Sequence, residues 1–443
     1  MTGDPTLSTG GQITPGFLPA AALGHMEPTA VGTIDLDCHD GVSFRAGPGT
    51  MHRDALLLVR LHQEPIGIVH VPDARNAISA DKIRALVEHQ FGARIRQHEA
   101  GFGCRVSDAA CPGQAPTHVP GQVAVIVATT GRVDALDRCL RSLTALQRDD
   151  LELIVVDNRP ARRTYELVSR WQARDRRVHY IAEHRPGLSI ARNRGIAATH
   201  AQFIAFTDDD VVVEPNWLTW LLAPFADANV GVVTGMVLPG ELETAAQKRF
   251  EQYSGFCKGF ERRAYDVRSN GAYDRLLYPY WGGIFGSGNS VAFRRTELVA
   301  MGGFDPALGA GTIVHGGEDL DAMSRAILRG SELVYEPRSL CWHEHRRDDA
   351  ALRGQLFGYG VGLTGALTKA LTHDPRFARA AVRSVPVAFR IHRRRKRRRS
   401  SGAALPPEFA KIERAGMLRG PLLYARSARS VHRLRLNEVI NGG

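Results

Sequence analysis

The sequence lacks the glycine-rich motifs that identify the commonest nucleotide-binding folds. No G-x-G-x-x-G follows the first predicted strand, and G-x-x-x-x-G-K-[ST] occurs nowhere in its 443 residues. Such glycines let the backbone approach the phosphates of a bound nucleotide. Their absence argues against a Rossmann dehydrogenase and against a P-loop nucleoside triphosphatase.

Cysteine is scarce and scattered. The chain has six cysteines, and no two of them form a C-x-x-C pair. In a chain of this length, that distribution predicts neither a disulfide framework nor a zinc site. It is typical of a protein kept in a reducing cytosol.

Long apolar runs are absent as well. The N-terminal stretch MTGDPTLSTGGQITPG has neither a basic start nor an apolar core, so it predicts no signal peptide. No run reaches the roughly 20 apolar residues that a membrane-spanning helix needs. The nearest, from Gly354 to Leu371, is rich in glycine and interrupted by Lys369. We therefore expect a cytoplasmic protein.

Composition changes along the chain and predicts six segments. The second segment mixes strand and helix patterns in a small α/β module, with two strands around a turn at Pro65–Gly67 and then one helix. The segment after it has the composition of a linker. The full division is a disordered N-terminus (1–30), the small module of unassigned role (31–103), the linker (104–121), a central domain (122–349), C-terminal helices (350–385) and a basic, partly disordered tail (386–443).

Strand and helix patterns alternate regularly at the start of the central domain. Apolar strands are predicted at 122–130, 151–158, 178–183 and 203–210, with a helix between each strand and the next. Connections this short require right-handed crossovers, which give a parallel sheet with helices on both faces. The expected fold class is therefore α/β, an open Rossmann-like sheet, to which the small module and a helical, basic C-terminal tail are added.

Polar residues end three of these strands. Thr129, Asp157 and the run Asp208–Asp210 all lie where the carboxyl ends of the strands meet. Open parallel sheets bind their ligands at that edge. Because adjacent carboxylates repel each other, the run favours a bound divalent cation, although alone it fits a solvated loop equally well.

A second acidic pair begins a later helix. Glu318 and Asp319 follow two glycines and precede apolar residues at helical spacing. The positive end of the helix dipole favours an ionised carboxylate at this place, as a general base requires. Ordinary charge complementation at a helix start is the alternative explanation.

In their order and spacing, these stretches resemble the inverting, nucleotide-sugar-dependent glycosyltransferases of family 2, which have the GT-A fold. Each motif is weak by itself, but the ordered set is specific and covers roughly residues 120 to 350. The matching stretches are VAVIVATTGRVDALDRCLRSL, LELIVVDN, GLSIARNRGIAAT, FIAFTDDDVVVEPNWL, GSGNSVAFRRTELVAMGGFD and GEDLDAMSRAILRG.

The resemblance implies a site for a nucleotide-sugar donor. Thr129 and Arg132 resemble the lip that holds the nucleotide. Asp157 matches the acidic residue that hydrogen-bonds the base, unless Asp157 and the asparagine after it form only a turn. Arg192 resembles a contact on the nucleotide side, with a helix-surface charge as the alternative.

The resemblance also implies a metal and a base. Asp208, Asp209 and Asp210 match the D-x-D part of the donor site, where one carboxylate reaches the ribose and the last binds Mn2+ or Mg2+, so the implied metal ligands are Asp210 and Asp208. Asp319 matches the catalytic base, with Glu318 beside it as a partner on the acceptor side. Two histidines are further candidates for the metal shell, although most such residues are satisfied core or surface groups: His343 and His345.

Positive charge is concentrated near the C-terminus. Arg390–Arg399 contains eight Lys and Arg residues and no acid, which accounts for most of the net charge of +11. A second basic segment, Gly416–Arg435, alternates apolar and Arg residues. Nothing resembles a nucleic-acid-binding module, so we expect no nucleic-acid partner and favour docking on an anionic membrane surface over a solvated charge run.

The sequence thus predicts a cytoplasmic glycosyltransferase that is peripheral on the inner face of the cell membrane. It would move a single sugar, as hexosyltransferases do, from a nucleotide-sugar donor to a hydroxyl acceptor such as a lipid-linked one. A nucleotidyltransferase is an alternative, because it also uses Asp residues on a parallel sheet to bind a metal. The basic glycine-rich loop of that class is, however, poorly matched by ATTGRVDAL. A non-catalytic scaffold that binds nucleotide sugar or membrane is the other alternative.

Overall fold

The structure is a computed structural model of the chain. It describes residues 27–37, 42–45, 52–72, 80–108, 119–269, 278–280, 283–373 and 407–441, with the single positions 18, 23, 74, 111 and 378. Most of the predicted disordered N-terminus lies outside these residues. The basic run Arg390–Arg399 lies outside them entirely.

The N-terminal module is a four-stranded sheet with one helix. Its strands are β1 (Thr29–Asp35), β2 (Val42–Phe44), β3 (Asp54–Leu61) and β4 (Glu64–Val71), in the order β2-β1-β3-β4, and helix α1 spans Ala80–Phe102. β1 and β3 are parallel, and the other neighbours are antiparallel. One face of this sheet forms its own core with α1, whereas the other shares the core of the central domain.

The turn between β3 and β4 does not lie where the sequence predicted it. His62 and Gln63 form the turn, with positive φ angles of 49° and 71°, and Pro65–Gly67 lie inside β4. β4 is an edge strand, and its pairing with β3 shifts register beside Arg60. Edges and irregularities are the places where a strand tolerates proline, so the Pro and Gly signal was misleading.

A nine-stranded mixed sheet forms the central domain. Its strands are β5 (Val123–Thr129), β6 (Leu151–Asp157), β7 (Val178–Ala182), β8 (Phe203–Asp208), β9 (Val211–Val213), β10 (Val230–Pro239), β11 (Arg263–Tyr265), β12 (Val291–Arg294) and β13 (Glu332–His343). They follow the order β11-β13-β10-β12-β8-β5-β6-β7, and β9 pairs with β13. The four predicted strands are β5 to β8, and they are parallel as expected.

Helices cover both faces of this sheet. Alternate residues of β5 enter different cores: Ala124 and Ile126 contribute to one, and Val123, Val125 and Val127 to the other. Such burial of both faces explains why the strand is a continuous apolar run. The predicted α/β class is confirmed. The helices are α2 (Val133–Thr144), α3 (Arg162–Gln172), α4 (Leu188–Ala197), α5 (Trp217–Leu222), α6 (Ala245–Ser254), α7 (Arg295–Ala300) and α8 (Glu318–Leu328).

Two long helices follow the sheet. They are α9 (Asp349–His373) and α10 (Pro407–Asn441), and they pack closely against each other. A Cβ atom on Gly416 of α10 would lie 2.2 Å from the carbonyl oxygen of Phe357 in α9. No helix in the described part of the chain is long and apolar enough to cross a membrane.

The glycines of α9 also allow close contact with the loop that precedes α8. A Cβ atom on Gly362 would lie 2.7 Å from the carbonyl carbon of Gly316 and 2.9 Å from the nitrogen of Gly317. Both of these are backbone atoms that cannot rotate away. The glycine-rich composition of α9 therefore serves close helix packing.

We expect Gly362→Ala to destabilise the protein by about 1–3 kcal/mol, because the added methyl group overlaps fixed backbone. Gly354→Ala on the same helix is the matched control, since its Cβ would meet nothing within 4 Å. The control should be neutral or stabilising by up to about 1 kcal/mol. Urea unfolding measures both variants, and equal effects would contradict the close packing described here.

Candidate functional site

The candidate site lies at the carboxyl edge of the parallel strands. Strand pairing sets Thr129 of β5 opposite Asp157 of β6, and Ala128 opposite Asp208 of β8. Asp209 and Asp210 follow in the tight connection to β9 and are buried, with 1% and 5% of their surface exposed. The sheet thus brings together the carboxylates that the sequence placed at this edge.

Arg132 and Thr129 hold the middle of the carboxylate run. The Arg132 guanidinium donates hydrogen bonds to both Asp209 and Asp210. The Thr129 hydroxyl donates to Asp209 Oδ2 over 2.6 Å. Burial raises the pKa of Asp209 to about 6, although the charge of Arg132 opposes this rise. Asp209 is thus occupied by its protein partners.

Asp210 keeps one oxygen without a partner. Its Oδ1 atom is buried and accepts no hydrogen bond from the described residues. The Nε2 atom of His343 lies 3.4 Å from this oxygen, and the Arg346 guanidinium lies 3.8 Å from Oδ2. Burial disfavours the charge of Asp210, but the surrounding positive groups hold its pKa below the usual range. The lone pairs of this oxygen are therefore available to a metal ion.

The structure distinguishes the two candidate histidines. Pairing of β13 with β9 sets His343 opposite Val211, and therefore beside Asp210. Burial lowers the pKa of His343 to about 3, so its ring is neutral near neutral pH. Both ring nitrogens of His345 have partners, with His343 Nδ1 at 2.9 Å and Glu251 Oε1 at 2.6 Å. His343 faces the carboxylates, and His345 supports it from behind.

Arg192 lies beneath the carboxylates and connects them. Only 2% of its surface is exposed. Its guanidinium donates to Asp208 Oδ1 over 3.3 Å, to Glu318 Oε1 over 3.2 Å and to the Gly288 carbonyl over 2.9 Å. These bonds use the guanidinium to join β8 to the start of α8. The contact with the nucleotide stays a prediction.

Glu318 and Asp319 differ sharply in their surroundings. Glu318 is buried, and burial together with the charge of Asp319 raises its pKa to about 7. Asp319 is half-buried and accepts hydrogen bonds from the Gly288 N–H over 2.9 Å and the Leu320 N–H over 2.8 Å. Two backbone donors therefore fix the carboxylate that is the more open of the pair.

The carboxylates at the end of β8 and those at the start of α8 lie in one cluster. Burial raises the pKa of Asp208, and Arg192 opposes that rise. The charges of Asp210 and Asp319 both add to it, so each of them is within electrostatic range of Asp208. The cluster thus joins residues that lie about a hundred positions apart in the sequence.

Asp157 lies at the same edge but is fully buried. Its carboxylate accepts hydrogen bonds from the Tyr180 hydroxyl over 3.1 Å, the Arg159 N–H over 3.2 Å and the Ala161 N–H over 3.3 Å. It shapes the loop between β6 and α3. Its role toward a nucleotide stays a prediction.

An open basic hollow of about 890 Å³ lies next to this loop. The sequence analysis named Arg132 but missed the other arginines of the hollow, although the run NRPARR after β6 offered a signal for three of them. It also missed Arg346, which stands beside Asp210. The arginines that line the hollow are Arg132, Arg138, Arg159, Arg162 and Arg163. Such a surface suits an anionic ligand.

Comparisons with known proteins match glycosyltransferases. Residues 124–296 match the model described as Glycosyl transferase family 2. The pre-mycofactocin glycosyltransferase of Mycobacterium tuberculosis is 31% identical over 166 residues, which cover 37% of this chain and 31% of that protein. The poly-beta-1,6-N-acetyl-D-glucosamine synthase of Staphylococcus aureus is 21% identical over 228 residues, covering 50% of this chain and 49% of that protein. The chain thus matches less than half of either relative.

A solved structure is similar as well. It is a mannosyltransferase from Pyrobaculum calidifontis in complex with GDP-Man and Mn2+. The TM-score is 0.46 at 17% identity, over 78% of this chain and 97% of that chain.

Removal of the buried guanidinium of Arg192 should destabilise the fold. We expect Arg192→Ala to cost about 3–5 kcal/mol, because it leaves the buried Glu318 carboxylate and the partly buried Asp208 carboxylate without their partner. Arg194→Ala is the matched control, since this exposed arginine lies on the same helix and should change stability by no more than about 0.5 kcal/mol. Urea unfolding decides, and similar losses in both variants would refute the bridging role of Arg192.

Proposed function

From the membership of residues 124–296 in glycosyl transferase family 2, we propose that this chain transfers a single sugar from a nucleoside-diphosphate donor to a hydroxyl group, with inversion at the anomeric carbon. The family is the one that the ordered motifs predicted, and that prediction is confirmed. The observation that carries the proposal is the meeting of Asp208, Asp210 and Asp319 in one cluster at the ligand-binding edge of the sheet.

The donor atoms around Asp210 fit a divalent cation. The free, buried Oδ1 of Asp210 and the neutral ring of His343 are lone-pair donors close to each other. Carboxylate oxygens with an imidazole nitrogen suit Mn2+, and carboxylates alone suit Mg2+. When bound, the metal supplies positive charge that stabilises the leaving diphosphate. Asp210, Asp208 and His343 would hold it, and His345 would keep the ring of His343 oriented.

Arginines prepare the diphosphate side of the site. Arg132 and Arg346 offset the charge of Asp210 in the chain without ligand. The same guanidinium groups can pair with phosphate oxygens, for which their planar donor geometry is well suited. The basic hollow beside Arg132 would take the nucleotide of the donor.

Asp319 would act as the general base. Its carboxylate accepts the proton of the acceptor hydroxyl while that oxygen attacks the anomeric carbon. The bond to the nucleoside diphosphate breaks on the opposite face, so the configuration inverts. The two backbone N–H groups that hold Asp319 keep it in position for this transfer. Glu318, buried and bonded to Arg192, positions the start of α8.

Two variants separate binding from chemistry. Thermal unfolding with UDP-, GDP- and dTDP-sugars, with and without Mn2+, should give a metal-dependent stabilisation by one nucleotide. The gain is about 2.7 kcal/mol when the donor is at 100 times its dissociation constant. Asp210→Asn should abolish this gain. Asp319→Asn should keep it, but lower the release of nucleoside diphosphate by about 10²–10⁴-fold, the usual contribution of a general base.

The matched control for both variants is Asp149→Asn, an exposed carboxylate outside the cluster, which should behave as the wild type. Stabilisation without any metal dependence would contradict the role of Asp210. Wild-type turnover in Asp319→Asn would contradict the base. Binding of a sugar-free nucleoside triphosphate with release of pyrophosphate would favour the nucleotidyltransferase, and no stabilisation by any donor would favour the scaffold.

We further propose that helix α10 docks the enzyme on an anionic membrane, where a lipid-linked acceptor would be reached. Leu418 and Leu422, one turn apart, are 85% and 58% exposed. Exposed Lys411, Arg414 and Arg426 lie at helical spacing on the same side. Exposed leucines flanked by basic residues are the pattern of a helix that lies in a membrane interface.

Replacing the two leucines tests this docking. The double variant Leu418→Ser and Leu422→Ser should co-sediment less with vesicles that contain phosphatidylserine, because about 0.8 kcal/mol is lost for each CH₂ no longer buried in lipid. Ala415→Ser on the same exposed face is the control and should bind as the wild type. Equal co-sedimentation of the wild type and the double variant would refute the docking face.

A further inference from the structure

Four side chains of the types that ligate metals converge at one end of the N-terminal module. They come from the β3–β4 turn, from α1 and from the segment after α1, and all four are buried. One ligand-type atom of each lies within 4.8 Å of those of the others. The four residues are His62, His98, Cys104 and Cys111.

Their separations fit a tetrahedral ion. His62 Nδ1 lies 3.1 Å from His98 Nε2, and Cys104 Sγ lies 3.7 Å from His62 Nδ1. Around a tetrahedral zinc ion, bond lengths of about 2.0–2.1 Å to nitrogen and 2.3 Å to sulfur set neighbouring ligand atoms roughly 3.3–3.8 Å apart. The cluster therefore needs little movement to close on a metal.

The outer nitrogens of both histidines are already oriented. His62 Nε2 lies 2.8 Å from the carbonyl oxygen of Asp108, and His98 Nδ1 lies 2.6 Å from Glu64 Oε2. Both partners accept, so each of these nitrogens carries the proton. His62 Nδ1 and His98 Nε2 then face each other across 3.1 Å, and two ring nitrogens this close need a proton or a metal cation between them. A carbonyl or carboxylate behind a histidine is the usual support of a metal ligand.

The backbone is bent to bring the ligands together. His62 and Gln63, with φ angles of 49° and 71°, form the two-residue turn between β3 and β4, and histidine enters this left-handed region more readily than most side chains. Gly103, with a φ of 64°, ends α1 and turns the chain directly into Cys104. These two turns bring His98 and Cys104 within reach of the His62 ring.

We propose that His62, His98, Cys104 and Cys111 bind one structural zinc ion. Two nitrogen and two sulfur ligands are a donor set that selects Zn2+. With four protein ligands the site has no open position for a substrate, so the ion would be structural. The sequence predicted no zinc site, because the two cysteines are seven positions apart and one of the histidines, His62, lies far upstream of them.

The ion would fasten the module to the central domain. Gln63, next to His62 in the same turn, accepts hydrogen bonds from Asn216 Nδ2 over 2.9 Å and from Trp220 Nε1 over 3.1 Å. Asn216 precedes helix α5, and Trp220 lies within it. By fixing the turn to α1, the zinc ion would hold this contact in place.

Metal analysis of the full-length chain tests the proposal. Protein purified without chelator should contain about one zinc per chain by plasma mass spectrometry, and Cys104→Ser with Cys111→Ser should reduce this to near zero. Cys257→Ser is the matched control, because it alters a buried free cysteine outside the cluster and should retain the metal. Asp210→Asn should retain it as well, which separates this site from the candidate active site.

A second measurement does not depend on folding of the variants. Cobalt exchanged into the wild-type chain should give the visible absorption of a tetrahedral ion with thiolate ligands. The proposal would be overturned by a wild-type chain that neither contains zinc nor takes it up at equimolar concentration. A disulfide between Cys104 and Cys111 in the native protein, found by peptide mass spectrometry, would overturn it equally.

Discussion

The buried guanidinium of Arg192 is the interaction on which the candidate site depends. It lies within the protein and joins Asp208 at the end of β8 to Glu318 at the start of α8. Charges withdrawn from water are tolerated only when they are paired, so the three groups fix one another's positions. The third bond, to the Gly288 carbonyl, orients the backbone whose N–H holds Asp319. One residue thereby fixes the position of Asp208 relative to Asp319, the proposed base.

Helix α9 supports this arrangement from behind. Gly362 packs on the backbone of Gly316 and Gly317, directly before Glu318. Gly317 has a left-handed φ of 86° and begins the turn into α8. Asp319 is thus held by hydrogen bonds on one side and by backbone packing on the other. This dependence explains why the C-terminal helices form part of the same folded unit as the sheet.

The N-terminal module is tied to the central domain by polar contacts as well as by a shared core. Lys248 Nζ donates to Thr29 Oγ1 over 2.6 Å, and Arg60 bridges Asp35 and Glu214. Glu214 also accepts from Trp342 Nε1 over 2.6 Å, one residue before His343. The module therefore reaches the strand that carries His343, and a zinc ion at its far end would steady that connection.

By itself, the sequence determined the elements whose pattern is local. The apolar runs of β5 to β8 predicted parallel strands, and strand polarity then placed Thr129, Asp157 and Asp208–Asp210 at one edge. Only the tertiary structure decided that Arg192 lies beneath those carboxylates and that His343, not His345, faces them. Only the tertiary structure, likewise, showed that the hairpin turn lies at His62 and that the four candidate zinc ligands lie close together. The physical reason is the same in each case. Periodicity reports which face of an element is buried, whereas the partners of a buried polar group come from distant segments that meet only when the chain folds.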